Sequence, residues 1–158
     1  MVCRNGKGVR EMKIKQMIAG ASTAAVMMGL VAVPALAGAG KSALYDAPGN
    51  FTCATGAQPA DGEVTFGFAT VNANKHGMLE VEVSVKGATP NATYDVWVNQ
   101  DPGACPLPAA TAVGAVTTNT QGNGNAHVKV AAVDGASNYW VSVVGGGQVL
   151  RSMAVQTP

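Results

Sequence analysis

The chain has 158 residues, of which 47% are hydrophobic, 12% charged and 5% aromatic, with a formal net charge of +1. That length suits one domain, the hydrophobic content can support a core, and the low charge excludes a charged disordered chain. The 20 glycines follow no every-third pattern, which excludes a collagen-like chain, and the near-neutral balance carries no nucleic-acid footprint.

Residues 1–37 read as a signal peptide. Arg4, Lys7, Arg10, Lys13 and Lys15 form a basic start, and Met17 to Val33 is an apolar run. After Pro34, the sequence Ala35-Leu36-Ala37 puts small residues where a signal peptidase needs them. Met12 to Ala37 is already a complete signal, so Met12 is a candidate true start, and Cys3 would then be untranslated. A retained N-terminal anchor is the alternative, but the run is short for a membrane span and no stop-transfer charges follow. No Cys follows the cleavage site, which argues against a lipid anchor. Membrane attachment is therefore expected only through an uncleaved signal.

From Gly38 onward the cations are Lys41, Lys75, Lys86, Lys129 and Arg151, against eight carboxylates. The positive balance thus belongs to the leader, and a mildly acidic domain has no affinity for DNA or anionic lipid. Two cysteines remain, Cys53 and Cys105, with no Cys-x-x-Cys motif and no adjacent His. In an exported chain such a pair predicts one disulfide rather than a metal site or two free thiols.

Residues 38–50 bear Gly, Ala and Pro and read as a loose N-terminal arm before a domain over 51–158. There the hydrophobic period is two. Val64, Phe66, Phe68 and Thr70 form one set, and Leu79, Val81, Val83 and Val85 alternate with Glu80, Glu82, Ser84 and Lys86. Val113 to Thr118 reads as a weaker strand, and Val149 to Val155 as a last one. Val96 with Val98, Val128 with Val130, and Val141 with Val143 repeat the alternation. Each set, with Phe66 and Phe68, is expected to face the core. Turn residues punctuate the runs at 72–77, 87–91, 101–103, 121–124 and 145–147, and the last two read as hairpins. Seven or eight short strands without a helical stripe predict an all-β antiparallel sandwich.

The run LEVEVSVKGATPNATYDVWV (79–98), with GAVTTNTQGNGNAHVKV (114–130), resembles the small Ig-like β-sandwich modules of bacterial secreted proteins. The resemblance covers about half of the expected mature chain and implies an Ig-like sandwich with a structural, adhesive or binding role. The antibody spacing of Cys, Trp and Cys is absent, so it does not extend to true immunoglobulin domains.

Catalytic candidates are few. His76 and His127 are the only bases suited to neutral pH, and no serine sits in a Gly-x-Ser-x-Gly elbow. Glu80 and Glu82 share one strand face about 7 Å apart, a carboxylate spacing compatible with glycoside hydrolysis, but surface solubility explains them more simply. Asp46, Asp61, Asp101 and Asp134 could join loop carbonyls around Ca²⁺, yet their spacing demands no metal, and no cofactor is expected. Asn50-Phe51-Thr52 and Asn91-Ala92-Thr93 are glycosylation sequons, relevant only in a glycosylating host.

Trp97 and Trp140 fall opposite the valines of their strands. If the valines face the core, both indoles lie on the outer face, either bare as a binding platform or covered by a loop or bulge. The expectation is a secreted or cell-surface, non-enzymatic module. Its alternative is a carbohydrate-binding module using exposed aromatics, with polysaccharide or another surface protein as partner, and a small secreted hydrolase stands third. Export predicts that N-terminal sequencing of secreted protein begins at Gly38 or within two residues of it. Full-length protein retained in the membrane would contradict this reading.

Overall fold

A computed structural model describes residues 39–156 apart from Lys75, so the expected signal, Met12 and Cys3 lie outside the described residues. The strands are β1 (Ala39–Asp46), β2 (Phe51–Thr52), β3 (Gly56–Ala57), β4 (Thr65–Ala73), β5 (Met78–Val85), β6 (Thr93–Asp101), β7 (Gly114–Thr117), β8 (Gly124–Ala131), β9 (Asn138–Gly145), β10 (Gln148–Ser152) and β11 (Val155–Gln156). A single 3₁₀ turn spans Ala109–Thr111.

All pairings are antiparallel. One sheet runs β7-β6-β9-β10-β1-β4-β5-β8, with β11 on β9, and β2 pairs with β3 separately. The two ends of the long sheet meet where Gly114 and Gly124 remove side chains. A Cβ on Gly114 would overlap Val128, and one on Gly124 would overlap the Thr117 carbonyl. The result is one nearly closed sheet rather than two separately bonded ones.

The interior follows from side-chain alternation. Leu79, Val81, Val83 and Val85 are buried, as are Val96, Val98, Val141 and Val143, and with Leu44, Tyr94, Val116 and Leu150 they form one cluster. Glu80 and Glu82 project outward opposite Lys129 and His127 of β8. Tyr94 is fully buried except in its need for hydrogen bonds. Its hydroxyl donates to Gln148 Oε1 at 2.7 Å and accepts from the Thr89 amide at 3.0 Å. That satisfies the one polar atom such a side chain brings inside.

Four expectations need correction. Residues 39–46 are not a loose arm. They form β1, which pairs with β10 on one side and β4 on the other, and Leu44 is fully buried. Small residues there allow close packing: a Cβ on Gly40 would overlap Val155.

Phe68 does not face the core with Phe66. Gly67 has φ +104° and the register with β1 slips between Ala43 and Tyr45, which marks a β-bulge. The bulge reverses the parity of the rest of β4. Ala69 and Val71 turn inward, while Phe68 turns outward beneath the Lys41 ammonium, 3.7 Å from its ring centroid. Val64 is exposed.

The turn at 121–124 is not a hairpin. Asn119 closes it, its side-chain oxygen accepting from the amides of Gln121 and Asn123, but β7 then pairs with β6 and β8 with β5. It is a crossover between the sheet's two ends. The turn at Gly146-Gly147 is a true hairpin, since both glycines have positive φ as a type I′ turn demands.

The last run also divides. β10 ends at Ser152, the chain steps out at Met153 and Ala154, and β11 returns to β9. The Ser152 hydroxyl accepts from the Val141 amide across the gap, at 3.0 Å.

Gly67 fixes the β4 bulge, because a side chain there would meet both a disfavoured φ and the Ser84 carbonyl. Gly67→Val is expected to cost at least about 3 kcal/mol and to lower Tm by roughly 10 °C or more. Gly49→Val, in open space at an ordinary φ, is expected to change stability by less than about 0.5 kcal/mol. Equal thermal melts for the two variants would contradict the bulge.

Candidate functional site

The outer face of β6, β9 and β10 is the part of the sheet where polarity and size depart from a wet surface. Trp97 on β6 stands opposite Ser142 on β9, and Ser142 stands opposite Arg151 on β10. Asn99 stands opposite Trp140 in the neighbouring row. Period two puts all five on one face. A small serine between Trp97 and Arg151 leaves a depression in the middle of that row.

Two segments cover this face. One is the short hairpin of β2 and β3, the other the loop after β6 that carries Pro106 and Leu107. Cys53 in the first is bonded to Cys105 in the second, with 5.6 Å between their Cα atoms. The predicted disulfide is thus present in the fold. It stabilises by about 4 kcal/mol in the chain-entropy treatment, because it closes a loop of 52 residues. The hairpin is fastened at its other side by Gly56, which bridges to Met153 at so close an approach that a Cβ would overlap the Ser152 carbonyl.

Between these segments and the sheet lies an open pocket of about 230 Å³ lined by Phe51, Trp97, Pro106, Leu107, Trp140 and Val144, with Asn99, Ser142 and Arg151 as its polar groups. Parity therefore placed both tryptophans on the correct face, and the cover buries them. Trp140 is 1% exposed and Trp97 9%. The exposed aromatic platform expected of a carbohydrate-binding module is absent, because the disulfide-tied segments occupy the space over it.

The polar atoms of the site are unequally satisfied. The Trp140 indole donates to the Cys53 carbonyl at 3.0 Å, and its ring lies 5.4 Å from that of Phe51. Asn99 Nδ2 donates to Ser142 Oγ at 3.3 Å. Arg151 donates through Nη1 to the Ala47 carbonyl and stacks 4.0 Å above the Phe51 ring. Trp97 Nε1 and Arg151 Nε are buried with no hydrogen-bond partner among the described residues. Burial lowers the Arg151 pKa, and the guanidinium still remains cationic at neutral pH.

The other candidates are placed elsewhere. Glu80 accepts from Lys129 at 3.0 Å and Glu82 pairs with His127, both as exposed cross-strand pairs. The hydrogen bond from Lys129, then its charge, holds the Glu80 carboxyl below the usual carboxylate range. His76 is exposed in the turn after β4. No side-chain hydrogen bond among the described residues joins a histidine to a serine. Nor do three His, Cys, Asp or Glu residues among them group as metal ligands. Sequence reasoning missed Arg151, Phe51 and Leu107 as partners of the tryptophans. The available signal for Arg151 was parity: it lies between Leu150 and Ser152 on the face opposite Leu150, as the only arginine among the described residues.

Comparison with protein-family models, curated sequences and solved structures gives no match. The Ig-like resemblance therefore rests on strand and turn pattern alone.

Because the cross-link holds the cover, the Cys53→Ser/Cys105→Ser variant is expected to melt at lower temperature and to expose both tryptophans. Their emission should shift to the red and quench with iodide. Two thiols that alkylate without reductant in protein purified under oxidising conditions, or unchanged tryptophan emission in the variant, would contradict this arrangement.

Proposed function

We propose that this chain is an exported, non-enzymatic binding module, an Ig-like secreted domain whose site is the open pocket lined by Trp97 and Trp140. The signal-like leader and the Cys53–Cys105 bond support export to an oxidising compartment, outside the cell or at its surface. The observation that carries the reading is the cavity itself. It joins aromatic and aliphatic walls to a few convergent polar groups, the combination usual for small-molecule sites.

Size decides the ligand's scale. A dry cavity of about 150 Å³ accepts benzene, whereas drug-sized sites begin near 300 Å³. At about 230 Å³ this cavity suits one substituted ring or a fused pair of rings. A polysaccharide chain would need open aromatic faces, so the sugar-binding reading loses its premise. Among the described residues no histidine is hydrogen-bonded to a serine that would support the hydrolase reading.

The chain's two tryptophans both line the cavity, so their two indole N–H resonances report on it without background. The neutral probe 2-naphthamide is expected to shift both resonances in the disulfide-bonded protein. Val144→Phe, which fills the cavity from β9, should leave the thermal melt nearly unchanged and abolish the shifts. Unperturbed resonances at millimolar probe, or equal perturbation in the filled variant, would refute the binding reading.

A further inference from the structure

The two segments beside the pocket are held unequally. The hairpin of β2 and β3 is tied to the sheet by the Gly56–Met153 bridge, by the Ala154 amide donating to the Thr55 carbonyl at 2.7 Å, and by the Trp140 indole donating to the Cys53 carbonyl at 3.0 Å. The loop 105–112 has no such ties. It is pinned at its two ends. Gln100 and Ala104 each donate an amide to the other's carbonyl, at 3.0 and 2.8 Å, and the Val113 amide donates to the Val96 carbonyl at 2.8 Å. Between these pins the hydrogen bonds found among the described residues are internal, from the Thr111 amide and hydroxyl to the Pro108 carbonyl. The bond from Cys105 to Cys53 is the one covalent or hydrogen-bonded link, among the described residues, from 105–112 to the rest of the fold.

That link stands at the pocket wall. Pro106 and Leu107, which follow Cys105, line the pocket from the loop, and Phe51, two residues before Cys53, lines it from the hairpin. Phe51 has fixings of its own, the Trp140 ring at 5.4 Å and the Arg151 guanidinium at 4.0 Å. Pro106 and Leu107 are held in place through Cys105. The core does not depend on either segment, since the buried cluster that includes Val81, Val96 and Val141 contains no residue of 51–57 or 105–112. Both cysteines are half-buried, within reach of a small dithiol.

Resting on the binding reading above, we propose that 105–112 is a redox-latched wall of the pocket. The Cys53–Cys105 bond holds the wall in place, and reduction by an external dithiol frees it and releases the ligand while the sheet stays folded. In that exchange a thiolate of the dithiol attacks one cysteine sulfur, the S–S bond breaks, and the dithiol's second thiol resolves the mixed disulfide. The dithiol is oxidised to its own disulfide, and two electrons and two protons pass to Cys53 and Cys105, which become thiols. Ligand and latch act on each other reciprocally. A ligand that prefers the oxidised form lowers the midpoint potential of the cysteine pair.

Titration of the protein in dithiothreitol redox buffers, with and without 2-naphthamide, tests the proposal. The oxidised form is expected to bind 2-naphthamide at least about tenfold more tightly than the reduced form, because a freed wall must be reordered on binding. Saturating 2-naphthamide should then lower the midpoint potential by at least about 30 mV, the two-electron equivalent of tenfold. Leu107→Ala, which keeps the latch and trims the wall, should shrink that shift. Without ligand, reduction should lower the backbone ¹⁵N heteronuclear NOE at Leu107 and Thr111 and leave it unchanged at Val81, Val96 and Val141. Equal binding by both forms, or NOE values at Leu107 and Thr111 that survive reduction, would overturn the latch and leave the binding reading standing. Collapse of the valine signals on reduction would overturn it as well, because the bond would then hold the whole fold. Absence of binding to the oxidised protein would overturn the binding reading, and the coupling with it.

Discussion

The Cys53–Cys105 bond is the constraint on which the outer half of this structure depends. A β-sheet with one buried face normally gives its other face to water. Here β6 and β9 carry a tryptophan each on that second face, and they need a cover that the sheet itself cannot provide. The hairpin of β2 and β3 and the loop after β6 are short, irregular segments with little core of their own. Bonded to each other, and tied to the sheet through Gly56 and the Trp140–Cys53 hydrogen bond, they become a second layer. The open pocket lies where that layer meets the small Ser142 and the two tryptophans.

The interior needs no such device. Valine-rich alternation along β5, β6 and β9 fills the nearly closed sheet, and glycines at 114 and 124 let its ends approach. Polar exceptions inside are few and satisfied, as in the Tyr94–Gln148–Thr89 set. The two faces thus follow different rules. Continuous apolar packing governs the inner one, and a cross-linked cover with unmatched donors governs the outer one.

Much of this was legible in the sequence where the cause is local. Period-two alternation in 79–85, 96–98 and 141–143 placed the core side chains, and the same parity put Trp97 and Trp140 outside. The lone pair of cysteines predicted its own bond. What failed was set by distant contacts. Phe68 was misplaced because Gly67 reads as an ordinary strand residue until its approach to Ser84 is known. Residues 39–46 looked loose because their composition is small, whereas small residues are what β1 needs to lie between β4 and β10. The 121–124 turn has hairpin residues, but sheet closure assigned its flanking strands to other partners. The site was half visible for the same reason. Parity locates the tryptophans, but no local signal says that Phe51, far earlier in the chain, and Leu107, in the loop after β6, line the pocket beside them.

A crystal structure of the disulfide-bonded protein grown with 2-naphthamide tests the central claim most directly, that the cross-linked cover, Trp97 and Trp140 together shape a site for a small aromatic ligand. The expected result is a ring between Trp140, Phe51 and Leu107. A cavity closed by its own side chains, or occupied by water alone at saturating ligand, would contradict it.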